Sequence, residues 1–444
     1  MSGIEKLMAF LDGSPSCFHA VANLTRRLEE AGYTPLSEAE DWQLLPGGKY
    51  YLTRNQSALI AFRVPQSKPQ GFMLSASHSD RPCFKIKENP ELETAGVYLR
   101  LAVERYGGML MAPWLDRPLS AAGRVLVETA EGIRSCLVDL DRDLCMIPHV
   151  AIHMNRKANE GYSYNPAVDL IPLLGSLEAR GAFRELVAEA AGCRPEEILG
   201  TDLFLYNREK ARIWGAKGEY LSARALDDLQ CAWASLEGFL QAGEGKSIPV
   251  CCVFDNEEVG SNTKQGADST FLPDTLVRIC AGVGMHYRRA LARSFLVSAD
   301  NAHAVHPNHP EYADPNHRPV MNGGVVIKFN ANQRYTTDGV SAALFRRACQ
   351  KAGVPTQTFC NRADLPGGST LGNISSSHVS IPTVDVGLPQ LAMHSCYETA
   401  GVRDAQYLAQ ALAQLFSMSL TPREERVIAL RFGCLLYTSD AADD

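Results

Sequence analysis

The 444-residue sequence lacks the features that would assign it at once to a membrane, secreted or nucleic-acid-binding class. No stretch reaches the roughly 18 apolar residues that a transmembrane helix needs. The amino-terminal segment MSGIEKLMAFLDGSPS carries acidic residues and has no long apolar core, so we do not expect a signal peptide. Positive charge is not in excess, because 43 lysines and arginines against 50 aspartates and glutamates give a net charge of −7. We therefore expect neither nucleic acid nor a membrane as a partner.

Paired cysteines with the spacing of a metal or redox motif are also missing. The thirteen cysteines include no C-x-x-C pair, and several lie in apolar runs such as Val250–Phe254. Thiols used in this way are typical of reduced core residues. We therefore expect a cytoplasmic protein.

Three common catalytic motifs do not occur. The sequence has no H-E-x-x-H and no G-x-S-x-G, which disfavours a zincin and an α/β-hydrolase. PGGSTLGN (366–373) is rich in glycine but lacks the Gly-Lys-Ser/Thr ending of a P-loop, so we interpret it only as a candidate pocket loop. The segment His303–His317 contains four histidines among prolines and asparagines, and we prefer a polar loop to a metal-binding tract there.

Helical and strand patterns alternate in the first 90 residues and again after residue 220, which predicts an α/β fold. Between them lie short strand patterns at Val97–Val103, Met109–Met111, Arg124–Glu128 and Arg134–Asp139. We predict an α/β/α sandwich catalytic domain with a mostly parallel sheet, formed by residues 1–90 and 221–418. Residues 91–220 would form an inserted β-rich domain with a role in oligomerisation.

Ionisable residues follow several predicted strands at the point where each strand ends. His78 and Asp80 follow Gly71–Ser77, and the remaining residues of this kind are Asp255, Glu257, Glu258, Asp300 and His394. Ligands of open α/β sheets bind outside the carboxyl ends of the strands, so we expect these side chains to converge. Asp227 adds a carboxylate at the start of the predicted helix Leu226–Leu240.

The chemistry of these side chains suits a metal. Imidazoles and carboxylates without thiolates favour zinc, with Mn²⁺ or Co²⁺ possible. Taken singly, each residue has a simpler explanation, since Asp227 could only favour the helix dipole and Glu257-Glu258 could be a solvated turn. Together, the two adjacent carboxylates after a buried strand would repel each other unless a cation were present.

Six motifs resemble one known family. They are SASHSDRP (75–82), ARALDD (223–228), FDNEEVGS (254–261), SADNAHAVHPN (298–308), VIKFNANQRY (326–335) and PQLAMHS (389–395). In this order they resemble the aspartyl aminopeptidase family of cocatalytic zinc exopeptidases. The resemblance extends from about residue 1 to 418 and implies the hydrolysis of peptides that have a free N-terminus.

The resemblance implies a site with two zinc ions per subunit. One ion would be held by His78 and Asp300 and the other by Glu258 and His394, with Asp227 bridging both. Glu257 would be the general base that takes a proton from the attacking water, and Asp80 would orient His78. The resemblance also implies a cis peptide between Asp227 and Asp228.

The same resemblance implies substrate contacts and an assembly. Lys328 and Tyr335 match pocket positions, and a cationic Lys328 would pair with an acidic substrate side chain, although Lys328 could also be a solvated strand residue. His153 matches a histidine that reaches into a neighbouring active site, with dimers gathered into a dodecamer, although it could be an edge-strand residue. Two alternatives stay open at this point, a preference for neutral N-terminal residues and a non-catalytic assembly protein of the same fold.

The end of the sequence departs from this pattern. SLTPREERVIALRFG (419–433) resembles the DNA-reading region of primary sigma factors, and LLYTSDAADD (435–444) resembles a translated adapter. We interpret residues 419–444 as a foreign tail without a role in catalysis. The acidic balance of the chain disfavours DNA binding through it.

Overall fold

The computed structural model describes residues 1–368 and 370–418, so the predicted foreign tail lies outside the described residues. The helices are α1 (Gly3–Asp12), α2 (Cys17–Glu30), α3 (Ala182–Ala191), α4 (Leu226–Gln241), α5 (Phe271–Val283), α6 (Tyr287–Leu291), α7 (Gly339–Ala352), α8 (Leu371–Ser375) and α9 (Asp404–Ser417). The strands of the first half are β1 (Thr34–Pro35), β2 (Lys49–Arg54), β3 (Ala58–Arg63), β4 (Phe72–His78), β5 (Cys83–Thr94), β6 (Tyr98–Tyr106), β7 (Leu119–Thr129), β8 (Gly132–Asp139), β9 (Leu173–Ser176) and β10 (Ile198–Asn207). Those of the second half are β11 (Arg212–Trp214), β12 (Tyr220–Ala223), β13 (Ile248–Phe254), β14 (Phe295–Ala299), β15 (Ala302–His303), β16 (Val325–Phe329), β17 (Thr356–Cys360), β18 (Thr383–Gly387), β19 (Pro389–Leu391) and β20 (Glu398–Gly401).

A nine-stranded sheet runs in the order β1-β2-β3-β13-β4-β14-β18-β16-β17. Five of its eight pairings are parallel, including the three that join β13, β4, β14 and β18 at the centre. These four strands therefore end at the same edge of the sheet. The mostly parallel α/β sheet expected from the sequence is confirmed.

Helices cover both faces of this sheet, because its central strands alternate between two apolar cores. In β13, Cys251 and Val253 pack on the side of α1, α2, α4, α7 and α9. Val250, Cys252 and Phe254 pack on the side of α5, α6 and α8. A strand buried on both faces needs an unbroken apolar run, which is what Ile248–Phe254 supplies. The two covered faces form the expected α/β/α sandwich.

A second sheet has six antiparallel strands in the order β8-β7-β10-β5-β6-β9. Helix α3 packs against it through Phe183 and Val187. The sheet begins at Cys83, seven residues before the predicted domain boundary, and its last strand ends at Asn207. The division of the chain into domains at residues 90 and 220 stays a prediction. A third sheet has five strands in the order β11-β12-β20-β19-β15. Its strands come from distant parts of the chain.

One predicted strand is wrong. Met109–Met111 belongs to no strand and leads into a single helical turn at Ala112–Trp114. The backbone N–H of Leu110 donates to the carbonyl of His394 at 3.0 Å, so the segment leaves the six-stranded sheet to contact a distant loop.

The cysteines from Cys17 to Cys396 are all free. Within residues 1–368 and 370–418, no helix is long and apolar enough to cross a membrane.

Candidate metal centre

The side chains predicted to bind metal meet at the carboxyl edge of the central strands. His78 is the last residue of β4, Asp300 follows β14, and Glu258 lies in the turn after β13. His394 comes from the loop between β19 and β20, and Asp227 from the first turn of α4. The peptide between Asp227 and Asp228 is cis, as the family resemblance implies.

Asp227 lies between the two histidines. Its Oδ1 is 3.4 Å from Nε2 of His78, and its Oδ2 is 3.6 Å from Nε2 of His394. On one side, His78 Nε2 is 3.8 Å from Oδ1 of Asp300. On the other, His394 Nε2 is 3.4 Å from Oε2 of Glu258. The five side chains therefore form two adjacent groups of donors that share Asp227.

These spacings suit a metal ion. Donors that bind one tetrahedral zinc ion at about 2.0 Å lie about 3.3 Å from each other. Three groups of donors could hold an ion, and each has its ligand atoms within 4.8 Å of one another. They are His78 with Asp227 and Asp300, Asp227 with Glu258 and His394, and His78 with Glu257 and Glu258. The third group includes Glu257, for which the sequence predicts a role as base.

Buried oxygens without a partner also fit a metal. Oδ1 of Asp227 and Oε1 of Glu258 accept no hydrogen bond from the described residues. Burial raises the pKa of Glu257 to about 8 and the pKa of Glu258 well above its usual range. Buried carboxylates are unfavourable without a positive charge or a donor beside them. The residues present therefore fit the group that the sequence predicts.

Asp80 contacts the Nδ1 side of the His78 ring. Nδ1 of His78 lies 3.2 Å from both the backbone carbonyl and Oδ1 of Asp80, so it donates toward Asp80 and Nε2 faces the donor cluster. The backbone N–H groups of Glu257 and Glu258 donate to Oδ1 and Oδ2 of Asp80, both at 3.1 Å. Burial opposes ionisation of Asp80, but hydrogen bonds from His78 and Tyr106 prevail and lower its pKa.

Glu398 and Asp228 also support the cluster, and the sequence analysis missed both roles. Glu398 accepts the backbone N–H of Asp227 at 3.0 Å and that of His394 at 2.8 Å. Asp228 accepts the backbone N–H of His78 at 3.1 Å. A lone glutamate four residues after His394 was the only sequence signal for Glu398.

Gly108, in the segment after β6, orients the ring of His394. The carbonyl of Gly108 lies 2.7 Å from Nδ1 of His394, so this nitrogen donates to it and Nε2 faces the cluster. A metal-bound histidine is commonly oriented by such a bond from its other ring nitrogen. No sequence signal linked Gly108 to a histidine 286 residues away.

A cavity of about 460 Å³ opens onto the cluster. Besides the donors, its lining includes Glu257, His303, Lys328, Tyr335, Phe359, Gly368 and Thr370. Gly368 and Thr370 belong to the predicted pocket loop. Lys328 is buried, at 3% exposed, so it is not a solvated strand residue.

Lys328 has two neighbours in this cavity. Its Nζ is 3.7 Å from Oδ2 of Asp300 and 5.4 Å from the centre of the Tyr335 ring. Burial alone would lower the pKa of Lys328, but Asp300 outweighs it and raises the pKa. Lys328 therefore keeps its positive charge beside a predicted metal ligand.

His303 lines the cavity, whereas His153 and the remaining histidines of the segment His303–His317 are not among its lining residues. His153 lies in an exposed turn and not at a strand edge. In an exposed loop the His309 ring stacks on Tyr312, and the His306 ring is tilted by 32° to the His309 ring. Among the described residues, no metal-binding group includes the histidines from His303 to His317.

A cluster of histidines and carboxylates at the carboxyl edge of an α/β/α sheet defines this chain as a metal-dependent enzyme. A family model described as aminopeptidase I zinc metalloprotease (M18) matches residues 10–416. The chain therefore belongs to the M18 family, and it is a zinc metallo-aminopeptidase, a hydrolase of peptide bonds.

Relatives with this description span nearly the whole chain. A probable M18 family aminopeptidase 2 from Clostridium novyi (strain NT) is 42% identical over 426 residues, which cover 93% of this chain and 98% of that protein. A protein of the same description from Pseudomonas paraeruginosa (strain DSM 24068 / PA7) is 44% identical over 427 residues, with 94% and 99% covered.

Solved structures share the fold. A chain of the cryo-EM structure of the Ape4 and Nbr1 complex is similar with a TM-score of 0.92 and 35% identity, covering 96% of this chain and 87% of that chain. The structure of the S. cerevisiae mApe1 dodecamer is similar with a TM-score of 0.83 and 27% identity, covering 97% and 99%.

Proposed function

We propose that this aminopeptidase binds two zinc ions and removes N-terminal residues, preferably acidic ones, from peptides. The observation that supports a two-ion site best is the position of Asp227. Its two oxygens face different histidines at 3.4 and 3.6 Å, which is the arrangement that a bridging carboxylate requires. The aspartyl aminopeptidase subtype is part of this proposal.

Each ion would have its own ligands. His78 and Asp300 would hold one zinc ion, Glu258 and His394 would hold the other, and Asp227 would contact both. Two bound zinc ions would lower the pKa of a water molecule and polarise the scissile carbonyl. The same donors would also accept Mn²⁺ or Co²⁺.

Glu257 is the proposed general base. Its carboxylate lines the cavity beside the donor cluster, and its backbone is held by Asp80, which also contacts His78. The base and two of the proposed ligands, His78 and Glu258, therefore contact one carboxylate. Glu257 would take a proton from the attacking water and deliver it to the leaving amine.

The acidic preference rests on the charge of the cavity. Of its described lining residues, Lys328 is the only lysine or arginine, against the carboxylates of Asp227, Glu257, Glu258 and Asp300. Their formal charge is −3, and two divalent ions would bring it to +1. A loaded site would thus attract a carboxylate side chain, with Lys328 as its partner and Tyr335 beside it.

One observation favours a second specificity. Because the Lys328 ammonium is already 3.7 Å from the Asp300 carboxylate, its charge is partly neutralised within the protein and attracts a substrate carboxylate less strongly. Phe359 also lines the cavity and offers an apolar contact. A preference for neutral N-terminal residues is therefore the alternative proposal. The non-catalytic alternative is disfavoured, because all the predicted ligands and the base converge in one place.

A panel of chromogenic aminoacyl substrates tests the function. The purified chain is assayed on aspartyl, glutamyl, leucyl and lysyl substrates, before and after a chelator and after zinc is restored. We expect chelator-sensitive cleavage that zinc restores, with the acidic substrates fastest. Faster cleavage of the leucyl substrate would favour the neutral alternative, and activity unaffected by the chelator would refute a metal mechanism.

We further propose a homo-oligomer in which His153 reaches a neighbouring subunit's cavity, with dimers gathered into a dodecamer. The support is that His153 is exposed and does not line the cavity of its own chain, and that a structural neighbour is described as a dodecamer. Co-expression tests this arrangement. The variants His153→Ala and Glu257→Gln should each be weak alone but regain activity when mixed in one assembly. Full activity of His153→Ala alone, or a fully active monomer, would contradict it.

A cytoplasmic location stays a prediction.

A further inference from the structure

Tyr106 joins the six-stranded sheet to the predicted metal site. It is the last residue of β6, and its hydroxyl donates to Oδ2 of Asp80 at 2.6 Å. Its ring packs edge-on against Phe204 of β10 with ring centres 5.8 Å apart, so the ring lies on the six-stranded sheet while the hydroxyl contacts a residue that follows β4. This hydrogen bond therefore connects the six-stranded sheet with the nine-stranded sheet at Asp80.

The direction of this hydrogen bond is set by Asn256. Gln265 Nε2 and the Thr263 hydroxyl both donate to Oδ1 of Asn256, each at 2.8 Å. The amide nitrogen of Asn256 is thereby turned toward Tyr106 and donates to its hydroxyl at 2.7 Å. The single proton of the hydroxyl is then left for Asp80.

Asp80, which the Tyr106 hydroxyl holds in place, contacts three residues of the site. Its carboxylate lies 3.2 Å from Nδ1 of His78, which the backbone carbonyl of Asp80 also contacts, and it accepts the backbone N–H groups of Glu257 and Glu258. A short hydrogen bond to a buried carboxylate limits the rotation of its side chain. Without the Tyr106 hydroxyl, Oδ2 keeps only the Glu258 amide among these donors.

The chain continues from Tyr106 toward the other half of the site. A Cβ on Gly107, which has φ +75°, would lie 3.1 Å from Cβ of Glu258, so this close passage favours glycine. The next residue, Gly108, accepts from Nδ1 of His394. Residues 106–108 thus contact both halves of the predicted site, through Asp80 beside His78 on one side and through His394 on the other.

We propose that Tyr106 is a positioning residue of the peptidase site, whose hydroxyl fixes the Asp80 carboxylate and through it His78, Glu257 and Glu258. The inference rests on the proposed function, because it assigns Tyr106 to the zinc site described there. It also makes the zinc site depend on the six-stranded sheet.

The test is Tyr106→Phe, which removes the hydroxyl and keeps the ring that packs on Phe204. The chain offers two matched controls, since Tyr206 donates to Asp139 and Tyr51 donates to Glu29, both at 2.6 Å and both away from the donor cluster. Zinc affinity is measured on the metal-free full-length chains by competition with a chromogenic chelator. The values of kcat and KM are then measured at saturating zinc, with thermal unfolding of each metal-free chain.

We expect Tyr106→Phe to bind zinc about tenfold more weakly, the lower end of the effect typical of residues behind metal ligands. At saturating zinc its kcat should fall while KM stays within about twofold, because Glu257 is displaced and the pocket is not. Tyr206→Phe and Tyr51→Phe should keep native zinc affinity and kcat, even where they lower the unfolding temperature.

Two outcomes would overturn the inference alone. The first is a Tyr106→Phe chain that binds zinc and turns over like the native chain. The second is an equal loss of zinc affinity in all three variants, which would indicate general loosening of the fold. A native chain that binds no zinc would instead refute the proposed site, and this inference with it.

Discussion

The ammonium of Lys328 lies 3.7 Å from Oδ2 of Asp300, and both side chains line the cavity above the donor cluster. This pair connects substrate specificity with metal binding. A lysine that pairs with a substrate carboxylate and a lysine that steadies a metal ligand make different predictions for the same substitution.

Lys328→Met tests these roles. If Lys328 binds the substrate carboxylate, kcat/KM for an aspartyl substrate should fall about 10- to 100-fold relative to a leucyl substrate, the usual value of a hydrogen bond to a charged group. Zinc affinity should change little. Arg334→Met removes an exposed cation outside the cavity and controls for net charge. An unchanged aspartyl-to-leucyl ratio, with weaker zinc binding, would assign Lys328 to Asp300 instead.

Glu257→Gln separates a base from a ligand. As the general base, Glu257 should contribute at least about 100-fold to kcat, so the variant should lose that much. Its zinc content, measured by elemental analysis, should equal the native value. Loss of zinc would instead assign Glu257 to the donor group that it forms with His78 and Glu258.

Asp227→Ala should remove zinc and activity together, since one carboxylate serves both proposed ions. Asp268→Ala is the matched control, because Asp268 contacts His378 at 2.8 Å in a pair remote from the cavity. Zinc per chain and kcat are measured for both variants. An Asp227→Ala chain with native zinc content would exclude the bridging role.

Glu398→Leu should weaken the site without touching a ligand side chain. Two buried backbone N–H groups, those of Asp227 and His394, would lose their acceptor. An unsatisfied buried donor costs about 1–3 kcal/mol, so we expect the free energy of unfolding to fall by about 2 kcal/mol or more. Zinc affinity should fall in the order native, Glu398→Gln, Glu398→Leu, since glutamine keeps one acceptor oxygen. Native zinc affinity in Glu398→Leu would remove Glu398 from the site.

The convergence of the donors could be predicted because its signals are local. An apolar run such as Ile248–Phe254 indicates a strand buried on both faces, and the ionisable residue directly after it marks the edge where ligands bind. Parallel pairing of β4, β13, β14 and β18 then brings residues far apart in the chain to one edge.

The supporting contacts could not be predicted, because they depend on how separate sheets meet. Tyr106 and Asn256 are 150 residues apart, and both lie in segments that look ordinary on their own. Met109–Met111 has the composition of a strand, but the backbone N–H of Leu110 donates to the carbonyl of His394 and not to a neighbouring strand. Periodicity reports which face a residue presents and carries no information about such partners.

The central claim is a zinc aminopeptidase site of two ions bridged by Asp227. The most direct measurement is a crystal structure of the zinc-loaded chain with anomalous differences recorded on both sides of the zinc edge. The account predicts two zinc peaks per subunit that both contact Asp227, one also bound by His78 and Asp300 and the other by Glu258 and His394. A single peak, or peaks at other residues such as the exposed histidines of the His303–His317 loop, would contradict it.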